Sequence, residues 1–202
     1  VPARNLPVAD TVSPQMQAVI ARPLNPDHNV VPETTEQWKA LVGAEAEKTA
    51  ATLPALCKQL GVSVEPTTLN GVGAFTVTPD VIPPANLDRL LMHLHGGTRV
   101  RYPGLSGTRE AILMAGFAGF KVISIDYRMP PDFLFPAALD DAVTAYREIL
   151  KRAAPESIGI FGTSAGGSLT YTTLLRAKQE QLAMPGAIAA GTPTVDLSKT
   201  GD

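Results

Sequence analysis

From residue 34 onward the spacing of hydrophobic positions changes several times, and each change marks an element. Thr34-Thr35-Glu36-Gln37 fits a capping box at a helix start. Behind it Trp38, Leu41, Val42, Ala46, Leu53, Leu56, Cys57 and Leu60 recur at roughly helical spacing. Pro54 is expected to split or kink that helix, and Gly61 to end it. The period then falls to two. VSVEPTTLNGVGAFTVTPD holds two strand-like runs around Asn70-Gly71, a strong hairpin signal. LDRLLMHLHGG reads as a buried strand running into glycines, GTREAILMAGFAGF as a short helix, and KVISIDYR as the next strand. PAALDDAVTAYREILKRA is an amphipathic helix, SIGIFG a strand, AGGSLTYTTLLRAKQEQL a helix, and GAIAAGTPTV a last strand. Strands alternating with helices predict an α/β fold, with a mainly parallel sheet covered by helices on both faces. The hairpin adds antiparallel strands at one edge.

Residues 1–33 are different. They carry Pro2, Pro7, Pro14, Pro23, Pro26 and Pro32. A short helix is expected after Ser13-Pro14, with serine as cap and proline at the first helical position. The remainder reads as an extended arm.

Composition narrows the function. A chain of 202 residues suffices for one domain with a real core. A net charge of −2 argues against a nucleic-acid footprint. No apolar stretch reaches the length of a membrane span. The lone Cys57 excludes an intrachain disulfide and a cysteine-based zinc cage. The chain begins at Val1, which suggests a processed or trimmed start. The expected protein is soluble, and cytoplasmic and periplasmic locations both stay open.

The strongest chemical signal is Gly162-Thr163-Ser164-Ala165-Gly166, between an apolar strand and a helix. Glycines on either side let strand and helix approach through a tight turn. The serine hydroxyl then stands at the carboxyl edge of the sheet, above a helix N-terminus that favours developing negative charge. Ser164 is therefore the candidate nucleophile.

His95-Gly96-Gly97-Thr98 closes an earlier buried strand. Backbone N–H groups of Gly96, Gly97 or Thr98, joined by that of Ala165, would form an oxyanion hole. His93 and His95 share one strand face, but the sequence offers no clear third metal ligand, so no metal is expected. His95 is expected to hydrogen-bond the loop that shapes the hole, and His28 to be solvated in the arm. Asp126, Tyr127 and Arg128 read as a buried polar network that pins a loop. Asp140 and Asp141 open a helix and suit its dipole. Arg99 and Arg101 read as solvated or paired rather than as substrate contacts. The G-x-G-x-x-G spacing of dinucleotide sites is absent around Ser164.

Together these motifs resemble the hormone-sensitive-lipase-like family of α/β-hydrolases, bacterial carboxylesterases in particular. HGGT stands where that family writes HGGG, and GTSAGG where it usually writes GDSAGG. DYRMPPDFLFPAALDDAVTAY is similar to its DYRLAPE-x-x-FPAA-x-x-D segment. The match runs roughly over residues 60 to 196, with the three motifs in the family's order. The resemblance implies an α/β-hydrolase fold with an eight-stranded sheet and a helical cap built partly from the N-terminal segment. Residues 1–50 would be that cap segment, 51–195 the core in incomplete form, and 196–202 the start of a second cap segment. It implies Ser164 as nucleophile, Gly96, Gly97 and Ala165 as oxyanion donors, and His95, Thr98 and Thr163 as shaping residues. Thr163 replaces the usual Asp and Thr98 the third glycine, which leaves the substrate open.

The family order is serine, then acid, then histidine. No histidine follows Ser164, and the later acids are Glu180, Asp196 and Asp202. Asp196 lies after the last strand and is not taken as the triad acid. The expectation is a cut near Lys199-Thr200-Gly201-Asp202, with a C-terminal fragment of the same precursor bound non-covalently along a bare edge strand. That fragment would supply the acid and the histidine. The expected function is a serine carboxylesterase acting on short- or medium-chain acyl esters through an acyl-enzyme on Ser164, with no cofactor. An amidase with the same triad, a non-catalytic small-molecule-binding protein on the same fold, and a homodimer stay open.

Overall fold

The computed structural model describes residues 7–23 and 31–196. His28 and the Lys199–Asp202 run lie outside the described residues. The chain divides into two compact units, with the boundary between Glu33 and Thr34.

In the first unit, helix α1 spans Pro14–Ile20. Ser13 caps it, its hydroxyl accepting from the Met16 N–H at 3.2 Å, and Pro14 opens it. This is the helix that Ser13-Pro14 predicts.

The second unit opens with helix α2, Thr35–Ala50, whose capping box is formed by Thr34 and Gln37 in both directions. Helix α3, Leu53–Leu60, follows, with Pro54 in its first turn and Gly61 in the left-handed conformation at its end. Pro54 therefore splits the helical run, because a proline cannot donate to the turn before it.

Strands β1 (Val62–Leu69) and β2 (Val72–Pro79) form the hairpin. Asn70 and Gly71 both have positive φ, 50° and 86°, as a tight hairpin turn requires. Then come β3 (Leu90–Leu94), a 3₁₀ turn at Gly104–Thr108, helix α4 (Arg109–Ala118), β4 (Lys121–Ile125) and helix α5 (Ala137–Ile149). Strand β5 (Ile158–Thr163), helix α6 (Ala165–Gln179) and strand β6 (Ala187–Gly191) complete the order.

The strands form one sheet in the order β1-β2-β4-β3-β5-β6. Strands β4, β3, β5 and β6 run parallel, and β2 joins β4 antiparallel. Among the described residues the sheet has six strands. Helices α3 and α4 cover one face through a cluster around Leu53, Val77, Ile112 and Val122. Helices α5 and α6 cover the other through Met92, Leu94, Tyr146, Ile160 and Leu174. Strands β3 and β5 are neighbours inside the sheet and largely buried, which explains their near-continuous apolar sequences. Their carboxyl ends lead into the histidine–glycine loop and the serine turn. Strand β6 is the open edge, with Ile188 44% exposed.

Because Leu94 is fully buried where β3 meets the serine turn, Leu94→Ala should lower stability by about 2–5 kcal/mol in urea unfolding. Leu175→Ala, on the exposed side of α6, should change it by less than about 0.5 kcal/mol.

Candidate active site

Ser164 sits between β5 and α6 with φ 56° and ψ −119°, a conformation that costs a residue with a side chain on the order of 1–3 kcal/mol. Its N–H donates to the Gly191 carbonyl at 2.8 Å, and its carbonyl accepts from the Ser168 N–H at 3.0 Å. The turn is held from below by contacts that only glycine permits. A Cβ on Gly162 would lie 2.3 Å from the Leu94 carbonyl oxygen, and one on Gly166 only 1.9 Å from it. A Cβ on Gly167 would meet the Gly191 carbonyl oxygen at 2.9 Å. The turn is thus wedged between β3 and β6.

The second wall is the loop after β3. A Cβ on Gly96 would lie 2.7 Å from the Thr163 carbonyl oxygen and 3.6 Å from the Ser164 Cβ. Gly97 adopts φ 114°, and its carbonyl accepts from the Val100 and Arg101 N–H groups and from the Thr98 hydroxyl. No hydrogen bond from the N–H of Gly96, Gly97 or Ala165 to another described backbone group is present outside the regular elements. Gly96 and Gly97 border the same recess as Ser164, and Ala165 follows it in the chain.

His95 shapes this loop. Its Nδ1–H donates to the Gly96 carbonyl at 2.7 Å, and its ring stacks on Tyr127 with centroids 4.3 Å apart. The Tyr127 hydroxyl donates to the His95 carbonyl at 2.6 Å. Gly107 packs against the ring edge, where a Cβ would meet Cδ2 at 2.8 Å. Burial pushes the His95 pKa down to about 4, only partly opposed by the Gly96 carbonyl. The ring is therefore neutral at pH 7. Its Nε2 is buried without a partner, so neither ring nitrogen bonds the Ser164 hydroxyl. His93 is engaged elsewhere, with Nδ1 2.9 Å from the Ser124 hydroxyl and Nε2 3.4 Å from Glu110. Among the described residues no histidine serves Ser164 as base, and no group of side chains fit for a metal is present.

Asp126, Tyr127 and Arg128 do not form the single buried network expected: each bonds a different partner, and Arg128 is exposed. Asp126 accepts from the Gly104 N–H at 2.7 Å, and burial raises its carboxyl pKa. Arg128 does more than the sequence suggests. It makes a forked pair with Asp141, the closest contact at 2.7 Å, while the same carboxylate accepts the Arg128 N–H at 2.8 Å. Asp141 is buried against this guanidinium rather than serving mainly the helix dipole. Arg101 pairs with Glu45 of α2 at 2.9 Å, whereas Arg99 lines an apolar recess. Sequence reasoning did not single out Ser124 or Glu110. Glu110 reads simply as an acid in a first helical turn, and nothing in the pattern tells that it faces His93.

Two recesses flank the serine turn. One, of about 280 Å³, is bordered by His95, Gly96, Tyr102, Glu110, Thr163 and Ser164. The other, of about 440 Å³, is mainly apolar and bordered by Tyr127, Phe133, Phe135, Leu139, Ala165 and Leu169.

Residues 91–202 match the α/β-hydrolase fold family. The chain belongs to that family, in its hormone-sensitive-lipase-like branch. Over its whole length it superposes on the crystal structure of an esterase called E25, with a TM-score of 0.88 and 37% identity, covering 63% of that chain. An esterase of the bacterial hormone-sensitive lipase family is similar over 86% of this chain and 55% of its own, with TM-score 0.69 and 26% identity. Versiconal hemiacetal acetate esterase of Emericella nidulans is 31% identical over 163 residues, which is 78% of this chain and 54% of that protein. The chain spans about half the length of the curated relatives it matches.

Gly166→Ala should abolish folding or cost at least about 3 kcal/mol, because the added carbon meets backbone rather than a movable side chain. Gly43→Ala, in α2 with open space around it, should instead stabilise by about 0.5–1 kcal/mol. Urea unfolding of the two variants tests both. His95 gives a pH prediction. Its folded pKa lies below the ordinary 6.5, so its neutral form contributes stability fully above pH 6.5. That contribution, on the order of 3 kcal/mol, is lost as pH falls through the folded value. In a proton NMR titration the His95 ring should have its midpoint near pH 4, and one near 6.5 would contradict the burial argument.

Proposed function

We propose that this chain is the nucleophile-bearing part of a serine carboxylester hydrolase. The observation that carries the reading is Ser164 itself. It holds a strained conformation at the carboxyl edge of the sheet, on the same recess as Gly96 and Gly97 and next to Ala165. A structural serine has no need of that strain. In this reading the Ser164 hydroxyl adds to the ester carbonyl as a base takes its proton. The three N–H groups stabilise the oxyanion, the alcohol leaves with the returned proton, and water then frees the acyl group. Thr98 and Thr163 border the hole, and His95 fixes its loop.

The base and its orienting acid come from outside the described residues. We assign them to a C-terminal fragment of the same precursor, bound non-covalently along the open edge of β6. Two observations support this: the ring nitrogens of His93 and His95 do not bond Ser164, and Ile188 is left exposed on that edge. The apolar recess beside Ala165 suits a short or medium acyl chain, and the similar proteins named esterases support the same substrate class.

The test uses protein expressed from the complete gene, with p-nitrophenyl butyrate as substrate and a fluorophosphonate as a serine-directed label. Turnover and labelling of the Ser164 peptide are expected. Ser164→Ala should lose both, with kcat down by roughly 10³-fold or more. Undiminished turnover in that variant would overturn the assignment.

A further inference from the structure

Between β3 and the Gly104–Thr108 turn, three residues with side chains hold positive φ: Thr98 at 54°, Arg99 at 69° and Tyr102 at 66°. Such angles are uncommon outside glycine and least favourable for a β-branched residue such as Thr98. A run of this kind persists only where its surroundings hold it. It begins directly after Gly97, which borders the same recess as Ser164. Arg101 folds back over that glycine. Its N–H donates to the Gly97 carbonyl at 2.9 Å. A Cβ on Gly97 would lie 2.8 Å from the Arg101 carbonyl oxygen and 3.1 Å from the Arg101 Cβ. A shift of Arg101 therefore carries the Gly97 peptide with it.

The far end of Arg101 is held by another element. Its Nη1 donates to Oε1 of Glu45, on α2, at 2.9 Å. The two side chains are 36% and 32% exposed, and an ion pair that open to water adds little to stability. The second carboxylate oxygen, Oε2, is buried with no hydrogen-bond partner among the described residues, which is a cost rather than a gain. Stability is thus a poor reason for an acid at this position. Helix α2 is well placed for another task. It packs on the Gly104–Thr108 turn, and Thr49, one turn beyond Glu45, borders the recess that Gly97 and Ser164 share. Lys39, nearer its start, pairs with Asp132 in the segment after β4. The helix is fixed at two points and offers Arg101 a firm mount.

We infer that Glu45 is a positioning residue, which through Arg101 holds the strained loop against Gly97 and keeps the Gly97 N–H in place for the oxyanion. The inference rests on the reading of Ser164 as nucleophile and Gly97 as oxyanion donor. The test uses protein expressed from the complete gene, with Glu45→Gln, Arg101→Gln and the double variant. Lys39→Gln is the control, because it loosens α2 without touching Arg101. One readout is kcat and KM for p-nitrophenyl butyrate, expressed per fluorophosphonate-titrated site so that any unfolded fraction drops out. The other is hydrogen exchange of the Arg101 amide by NMR, which needs no turnover.

Glu45→Gln and Arg101→Gln should each lose about threefold or more in kcat with KM little changed, since an oxyanion donor acts in the transition state. The double variant should lose no more than the worse single one, because both changes remove one interaction. Exchange of the Arg101 amide should quicken by about threefold or more in Glu45→Gln and keep its wild-type rate in Lys39→Gln. Wild-type kcat or wild-type Arg101 exchange in Glu45→Gln would overturn the inference. So would additive losses in the double variant, or an equal loss in Lys39→Gln. A wild-type protein without turnover would sink the esterase reading instead. The exchange rates then decide the latch alone: faster exchange in Glu45→Gln than in Lys39→Gln supports it, and equal rates overturn it.

Discussion

The carbonyl oxygen of Leu94 lies where two side chains would otherwise be, 2.3 Å from the Cβ position of Gly162 and 1.9 Å from that of Gly166. This close approach of β3 to the β5–α6 turn is the constraint on which the site depends. It brings the end of β3, with His95 and its glycines, into contact with the residue before the nucleophile. It also aims the start of α6 at the space above the sheet. Any bulk in the turn would push these parts apart. The apolar layers on both faces keep the two strands from yielding.

Around that contact the polar groups fall into two sets with different tasks. Tyr127, His95 and Gly107 stack and bond so that the glycine loop keeps its shape. Asp126, Arg128 and Asp141 tie down the backbone that follows β4. The first set lies beside the Ser164 turn, and in the second Arg128 stacks over Phe133 of the apolar recess.

Much of this was legible in the sequence because local chemistry decided it. The capping box at Thr34, the split at Pro54, the stop at Gly61 and the Asn70-Gly71 turn each follow from one residue's backbone preference. The alternation of strand and helix gave the parallel order, since such strands must be joined by crossovers. The glycine–serine–glycine pattern showed the turn because only that spacing permits the approach. What could not be read was which side chains from distant elements meet. Asp141 sits at a helix start like Asp140, and nothing local says that it turns inward to Arg128. Glu110 and His93 are far apart along the chain, and no period links a first-turn acid to a buried strand histidine. Such pairings are set by how α4 lies across the sheet, a tertiary property.

The φ of 56° at Ser164 has a consequence for how this protein can change over generations. Strain at this position falls on a residue with a side chain, so the fold gives up stability there. Glycine at that position would relax the backbone and remove the hydroxyl in one step. Selection for stability alone would therefore favour glycine at this position over serine.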